Sequence, residues 1–159
     1  ITNHILKCRQ LAFFGLGGSS VAALDGYHKF LRTSINSEYY PDFDVQLMQA
    51  AKMDEHDCAI MISHSGENQQ TLTVLKQLHN NHVPVIAITS YGRSSLAQKA
   101  DMVLLSLADQ MSTTSDSMYT LIAQLAMIDS LFTIVAVKLS NKTEAVMNRV
   151  KAAINQTRT

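Results

Sequence analysis

The stretch Leu11-Ala12-Phe13-Phe14-Gly15-Leu16-Gly17-Gly18-Ser19-Ser20 joins an apolar run to a glycine-rich turn and a pair of serines. The run from Leu11 to Phe14 does not alternate polar with apolar residues, which is typical of a strand covered on both faces in a parallel sheet. An amphipathic pattern from Val21 to Leu31 follows and predicts a helix. The stretch therefore predicts a strand–loop–helix unit, whose glycines let the backbone turn sharply and approach a ligand closely.

The same unit recurs along the chain. Further strands are predicted at Ile35–Tyr40, Cys58–Ile62, Val85–Ile88 and Met102–Leu105. Helical patterns lie between them at Val45–Lys52, Leu72–Asn81 and Ser95–Ala100. Repetition of strand and helix implies right-handed crossover connections. The predicted fold class is therefore α/β, a three-layer sandwich around a parallel five-stranded sheet.

Two further helices are predicted after the last strand. The segment from Leu121 to Val137 is largely apolar, but it is shorter than the roughly 20 residues of a membrane span and contains Gln124 and Asp129. Its apolar residues recur at spacings of three and four, which favours a soluble helix. Additional apolar positions, among them Ile122 and Ile134, predict burial on more than one side. Thr143–Ile154 is predicted as a closing helix with Thr143 as its N-cap.

The composition is that of one soluble domain over residues 1–159. Hydrophobic residues make up 47% of the chain and charged residues only 16%, so a large fraction of the chain should be interior or interface. We therefore expect self-association as a dimer or tetramer. Thirteen Lys and Arg balance thirteen Asp and Glu with no basic run, which argues against direct contact of these residues with nucleic acid or with a membrane.

The cysteines and histidines predict no metal. Cys8 and Cys58 are fifty positions apart without CxxC spacing, which indicates neither a disulfide framework nor a zinc site. The histidines outside the loops share no metal-ligand spacing. The stretch Ile1 to His4 lacks the charged and apolar regions of a signal peptide. Together these features predict a cytoplasmic protein.

Two loops carry the polar groups expected at a ligand site. Ligands of parallel α/β sheets bind beyond the carboxyl ends of the strands, where Gly15–Ser20 and Ser63–Asn68 are predicted to lie. Free N–H groups and the positive end of a helix dipole attract an anion there, and the serines add hydroxyl donors. Neither loop contains Lys or Arg, which suits reversible binding of a phosphate ester.

Two other interpretations are open for the first loop taken alone. Gly15-x-Gly17-x-x-Ser20 approaches the dinucleotide-binding fingerprint, and Glu38 lies near the place of a ribose-binding carboxylate. However, Ser20 replaces the third glycine, and this pattern does not explain the second, serine-rich loop. A tight turn with an N-cap serine is the purely structural alternative.

These residues resemble the sugar isomerase (SIS) domain over about residues 5–140. The resemblance is carried by Gly15–Ser20, Ile62–Glu67, Ile86–Ser90, Ser95–Ala97 and Ala100-Asp101. Val45–Met48 and Ile122–Phe132 make the chain most similar to the C-terminal effector domain of RpiR-type transcriptional regulators. The resemblance implies a flavodoxin-like SIS fold, and DNA contact only through an N-terminal helix-turn-helix domain that is missing from this chain.

The resemblance also implies a phosphosugar site. Ser19, Ser63 and Ser65 would hold the phosphate, helped by the amides of Gly66 and Glu67. Asn68 stands where many relatives have Thr, and Leu121 stands where RpiR-type chains often have Arg, which puts one charge-assisted ligand contact in doubt. The sugar would be read by Ser112–Ser117. The predicted ligand-binding residues are Gly17, Gly18, Ser19, Ser20, Ser63, His64, Ser65, Gly66, Glu67, Asn68 and Ser117.

The expected function is that of a phosphosugar-sensing and oligomerisation domain of a bacterial RpiR-type regulator, with a sugar phosphate as effector and no cofactor. A sugar-phosphate isomerase of the SIS family is the alternative. Aldose–ketose isomerisation needs a positioned base, and Asp42–Gln46, in a segment where catalytic relatives carry His or Glu, has no histidine. We expect His64 to bond or position a ligand and Glu67 to cap a helix start or bond the loop backbone. No catalytic residue is predicted.

Overall fold

The computed structural model describes residues 1–107 and 116–157. The strands are β1 (Leu11–Gly15), β2 (Ser37–Tyr39), β3 (Cys58–Ile62), β4 (Val85–Thr89) and β5 (Met102–Leu105). The helices are α1 (Thr2–Lys7), α2 (Ser19–Phe30), α3 (Phe43–Lys52), α4 (Gln69–Asn80), α5 (Ser95–Lys99), α6 (Asp116–Leu139) and α7 (Asn141–Asn155).

The five strands form one parallel sheet in the order β2-β1-β3-β4-β5, which confirms the predicted fold class. The chain runs outward from β1 to β2 and then crosses back past β1 to build the other half. This reversal leaves a crevice beyond the carboxyl ends of β1 and β3, which is where α/β proteins of this strand order bind ligands.

Strand β1 shows why its sequence has no polar alternation. Leu11 and Phe13 face the layer that contains α1, α2 and α6, and the ring of Phe13 lies 5.5 Å from that of Phe30. Ala12 and Phe14 face the opposite layer of α3, α4 and α5. Every residue of the strand is buried. Both faces therefore need apolar side chains, as in the centre of a three-layer sandwich.

Helix α6 has one buried side and one exposed apolar side. Ile128, Leu131 and Val135 are buried, whereas Ile122 and Ile134 are 69% and 49% exposed. The expected burial of these two isoleucines is therefore not found within this chain. The segment Tyr119–Leu139 has the length and hydropathy of a membrane-spanning helix. Here it packs against α2, and its buried residues belong to the core of the domain.

Two elements differ from the sequence predictions. Helix α1 was not predicted because its sequence is mostly polar, and the fully buried Ile5 ties it to the core. The predicted N-cap of α7 is wrong. The helix begins two residues earlier, after Ser140 at a φ of 35°, and the buried Thr143 hydroxyl has no hydrogen-bond partner among the described residues.

Candidate functional site

A cavity of about 420 Å³ opens at the crevice between the carboxyl ends of β1 and β3. It collects side chains from both predicted loops and from α6. Its lining residues are Leu16, Gly17, Gly18, Ser19, Ser63, His64, Ser65, Asn68, Gln70, Thr71, Thr120, Leu121 and Gln124. None of these described residues is Lys or Arg, so an anion here would be bound by side-chain donors and by backbone N–H groups with their dipoles.

The glycine loop turns the chain from β1 into α2. Gly17 takes a φ of 55°, a left-handed conformation that favours glycine. The N–H groups of Gly17 and Gly18 have no acceptor among the described residues. The hydroxyl of Ser20 donates to the Gly17 carbonyl oxygen at 2.6 Å, and Ser20 does not line the cavity. Two backbone donors therefore remain at the mouth of the first loop.

The hydroxyl oxygens of Ser19, Ser63 and Ser65 each accept one hydrogen bond from within the protein. Ser63 Oγ accepts from the Gly66 N–H at 3.2 Å, and Ser65 Oγ accepts from the Glu67 N–H at 3.2 Å. Ser19 Oγ accepts from Gln124 Nε2 at 3.3 Å. Because each oxygen is occupied as an acceptor and none of the three hydroxyl protons has an acceptor among the described residues, all three can donate into the cavity.

The serine loop requires a glycine at position 66. Its φ is 65°, and a Cβ at this position would contact Ser94 Oγ, the side chain that caps α5. A larger residue would therefore strain the backbone and displace a helix cap. The amides of Gly66 and Glu67, expected to bind a ligand directly, instead hold the hydroxyl oxygens of the loop.

Helix α4 begins at the same cavity. Asn68 is its N-cap and accepts from the Thr71 N–H through Oδ1 at 3.1 Å. The N–H groups of Gln69 and Gln70 lie in the first turn, where a helix offers no internal acceptor. They form a second set of backbone donors at the helix end that borders the cavity, where the positive end of the helix dipole also lies.

Glu67 lies outside the cavity lining. Its carboxylate accepts from the Ser95 N–H at 2.7 Å, at the start of α5 rather than α4. This hydrogen bond to the backbone of Ser95 lowers the pKa of Glu67 below its usual value. The carboxylate thus joins the serine loop to the neighbouring helix, which agrees with the expected structural role.

His64 is the one ionisable residue among the described residues that line the cavity. Its Nδ1 lies 2.9 Å from Ser90 Oγ, and its ring centroid lies 5.3 Å from that of Tyr91. The described residues contain no cluster of three or more His, Cys, Asp or Glu able to hold a metal ion.

The structure brings most of the predicted residues together and adds others. Gly17, Gly18, Ser19, Ser63, His64, Ser65 and Asn68 line one cavity. The residues missed from sequence are Leu16, Gln70, Thr71, Thr120 and Gln124. Gln124 was visible only as a polar residue in an apolar helix, and its partner Ser19 is 105 positions away. The side chain of Ser117 and the segment 112–115 lie outside the described residues.

Similarity to known proteins agrees with this architecture. Residues 4–134 match the SIS domain family. The transcriptional regulator RpiR of Escherichia coli K12, a helix-turn-helix type protein, is 30% identical over 130 residues, which are 82% of this chain and 44% of RpiR. The chain thus spans less than half of that relative.

Two solved structures share the fold. NanR of Vibrio vulnificus, solved with ManNAc-6P, superposes with a TM-score of 0.89 at 14% identity over 99% of this chain and 60% of NanR. A Methanococcus jannaschii protein with an inferred 3-hexulose-6-phosphate isomerase function has a TM-score of 0.74 at 19% identity over 93% of this chain and 80% of that one. The family match spans most of the described sheet and helices, and the chain therefore belongs to the SIS domain family.

Proposed function

We propose that this chain is the effector-binding domain of a bacterial RpiR-type transcriptional regulator and that its effector is a sugar phosphate. The observation that carries the proposal is the set of three serine hydroxyls, Ser19, Ser63 and Ser65, each held as an acceptor with its proton free to donate. Such a set suits a group with several acceptor oxygens, as a phosphate has.

The surroundings of these hydroxyls favour a phosphate ester. Helices α2 and α4 both begin at the cavity, each with the positive end of its dipole. The Gly17 and Gly18 amides before α2 and the first-turn amides of α4 add N–H donors. The volume of about 420 Å³ falls within the range of small-molecule pockets. Without a cationic side chain among the described lining residues, binding should be weak enough to follow changes in effector concentration.

The relatives support the regulatory part of the proposal. RpiR is a transcriptional regulator, and NanR, which shares this fold, has been solved with a sugar phosphate. In our proposal DNA is contacted by a helix-turn-helix domain beyond this chain, in the cytoplasm. A sugar phosphate would act by binding two quaternary arrangements with different affinity.

Self-association would provide those arrangements. Helix α6 exposes Ile122, Ile134 and Val137, and α2 exposes Val21 and Leu24, although both helices are otherwise core elements. We propose that a second copy of the chain covers these side chains in a dimer or tetramer. Light scattering of the isolated chain checks this, and a monomer at all concentrations would contradict it.

The direct test is a thermal-shift panel of hexose, pentose and amino-sugar phosphates. Ligand at about 100 times its Kd adds roughly 2.7 kcal/mol, which raises the Tm by roughly 5–10 °C for a domain of this size. The double variant Ser63→Ala/Ser65→Ala should lose the shift. Ser130→Ala is the matched control, because Ser130 is exposed on α6 and its hydroxyl donates to the Ala126 carbonyl.

Isomerase activity is the second candidate. It is favoured by His64 on the cavity wall and by the isomerase function inferred for the Methanococcus relative. An isomerase would exchange the sugar C1 or C2 proton with deuterium from the solvent, a change that NMR detects. We expect no proton exchange in any sugar phosphate that raises the Tm. Exchange would contradict the sensor function and support the isomerase function.

A further inference from the structure

The His64 ring is fixed from the end of β4. Its Nδ1 lies 2.9 Å from Ser90 Oγ, and the ring packs against the Tyr91 ring at an interplanar angle of 58°. The His64 carbonyl oxygen accepts from Thr89 Oγ1 at 3.0 Å and from the Ser90 N–H at 3.1 Å. Backbone and ring are thus both held, and the ring cannot turn without breaking the contact with Ser90.

The hydroxyl of Ser90 determines which ring nitrogen carries the proton. Ser90 Oγ lies 3.0 Å from the Ser106 carbonyl oxygen, which can only accept. The single hydroxyl proton of Ser90 is therefore donated to Ser106. The Ser106 hydroxyl, 3.3 Å away, can donate to Ser90 Oγ but does not replace that acceptor. Ser90 Oγ then faces Nδ1 as an acceptor, so Nδ1 carries the proton of the neutral ring.

This tautomer leaves a lone pair on Nε2. Nε2 has no partner among the described residues, and the residue lines the cavity. The three serine hydroxyls and the backbone N–H groups proposed for the phosphate all donate, whereas Nε2 accepts. A phosphate dianion offers only acceptor oxygens and cannot bond to this lone pair, whereas a hydroxyl of the ligand can.

We infer that His64 is a specificity residue, whose Nε2 accepts a hydrogen bond from a sugar hydroxyl next to the phosphate. The inference rests on the proposed phosphate site and adds what that site lacks, a contact that separates a sugar phosphate from a simple phosphate ester. The contact with Ser90 selects the Nδ1–H tautomer, and in that tautomer Nε2 presents a lone pair to the ligand.

Long-range ¹H–¹⁵N NMR of the ring tests the tautomer without any ligand. We expect the neutral ring to be protonated at Nδ1 and bare at Nε2, and Ser90→Ala to weaken this preference. An Nε2–H tautomer in the wild type would overturn the inference, because that nitrogen would then donate like its neighbours.

Binding measurements test the recognition itself, with two probes: the sugar phosphate that gives the largest thermal shift, and methyl phosphate. His64→Phe should weaken the sugar phosphate about tenfold, as expected for one lost hydrogen bond, and leave methyl phosphate within about twofold. His64→Gln should recover much of the loss, because its amide oxygen accepts. Thermal unfolding of each variant confirms that it is folded. Ser90→Ala is a second test that keeps the imidazole ring, and it should also weaken the sugar phosphate more than methyl phosphate.

If His64→Phe lowers the affinity for both probes equally, the inference is overturned. His64 would then contact the phosphate, as a protonated ring that donates from Nε2 could. If neither probe binds the wild type, the phosphate site itself fails, and the inference fails with it. If both probes bind and the selective loss is absent, only the role of His64 is lost.

Discussion

The two ends of the sheet each carry a cavity of about 420 Å³, but their chemistry differs. The carboxyl end is lined by hydroxyls, amides and helix N-termini. The cavity at the amino end is lined by Asn3, His4, Lys7, Cys8, Arg9, Glu55, His56, Asp57 and Pro84. The two cavities have equal volume, and only the one at the amino end has Lys and Arg among its described lining residues, which would favour an anion.

The difference lies in which hydrogen-bonding groups are already used. Asp57 is buried and accepts from Arg9 Nε at 3.0 Å and Nη2 at 2.8 Å, while Arg9 also pairs with Asp54 at 2.9 Å. Burial, with a contribution from the Asp57 charge, raises the pKa of the Cys8 thiol to about 11 and keeps it protonated at neutral pH. The Arg9 charge at the amino end is thus neutralised by two carboxylates, whereas the hydroxyls of Ser19, Ser63 and Ser65 at the carboxyl end have no acceptor among the described residues.

Asp57→Ala should have the largest effect on stability and none on ligand binding. The variant loses the paired contacts with Arg9 and the bond from the Asp54 N–H at 3.1 Å. We expect a loss of about 2–3 kcal/mol in the free energy of unfolding, measured with urea. Asp54→Ala, at an exposed pair, should cost clearly less than Asp57→Ala, because solvent screens the Arg9–Asp54 attraction. A lost response to sugar phosphates in Asp57→Ala would break the contrast between the two ends.

Gln124→Leu should have an intermediate effect, this time on the ligand. The buried amide holds Ser19 Oγ, so its removal frees the hydroxyl to rotate away from a phosphate. We expect the Kd of the sugar phosphate to rise about tenfold, near 1.4 kcal/mol, by calorimetry. In a double-mutant cycle with Ser19→Ala the two losses should not add, because Gln124 acts through Ser19. Additive losses would assign Gln124 to the ligand directly.

Glu67→Gln should have the smallest effect, and it should depend on pH. The hydrogen bond from Ser95 lowers the pKa of Glu67 in the folded state, so the ionised carboxylate stabilises the fold. That contribution is present above the unfolded pKa of about 4.3 and is lost as the pH falls through the lower folded value. The Tm of wild type should exceed that of the variant at neutral pH and converge with it in acid. If the Tm difference between wild type and variant does not change with pH, the Glu67 carboxylate is not the source of the stabilisation.

Local patterns predicted the sheet and the glycine and serine loops well. The predicted strand Cys58–Ile62 matches β3, because a buried parallel strand is a continuous apolar run. The predicted strand Met102–Leu105 matches β5, which lies at the edge of the sheet and is only partly buried. The meeting of the two loops also followed from sequence, since the carboxyl ends of parallel strands lie on one edge. The resemblance to SIS domains supplied the identity of the serines.

Contacts between distant residues could not be predicted in the same way. Nothing local pairs Gln124 with Ser19 or directs Glu67 to the start of α5 instead of α4. Thr143 is a favourable N-cap residue by type, but the tight connection at Ser140 starts α7 earlier. The exposure of Ile122 likewise depends on which neighbours pack around α6, which its periodicity does not specify.

The central claim is that a phosphate is held at the carboxyl end by uncharged donors, and an amide NMR titration tests it most directly. With the sugar phosphate that gives the largest thermal shift, we expect the largest ¹H–¹⁵N changes at Gly17, Gly18 and Gln70, and none at the amino end. Changes confined to Lys7 and Arg9 would place the anion in the cavity at the amino end instead and contradict the account.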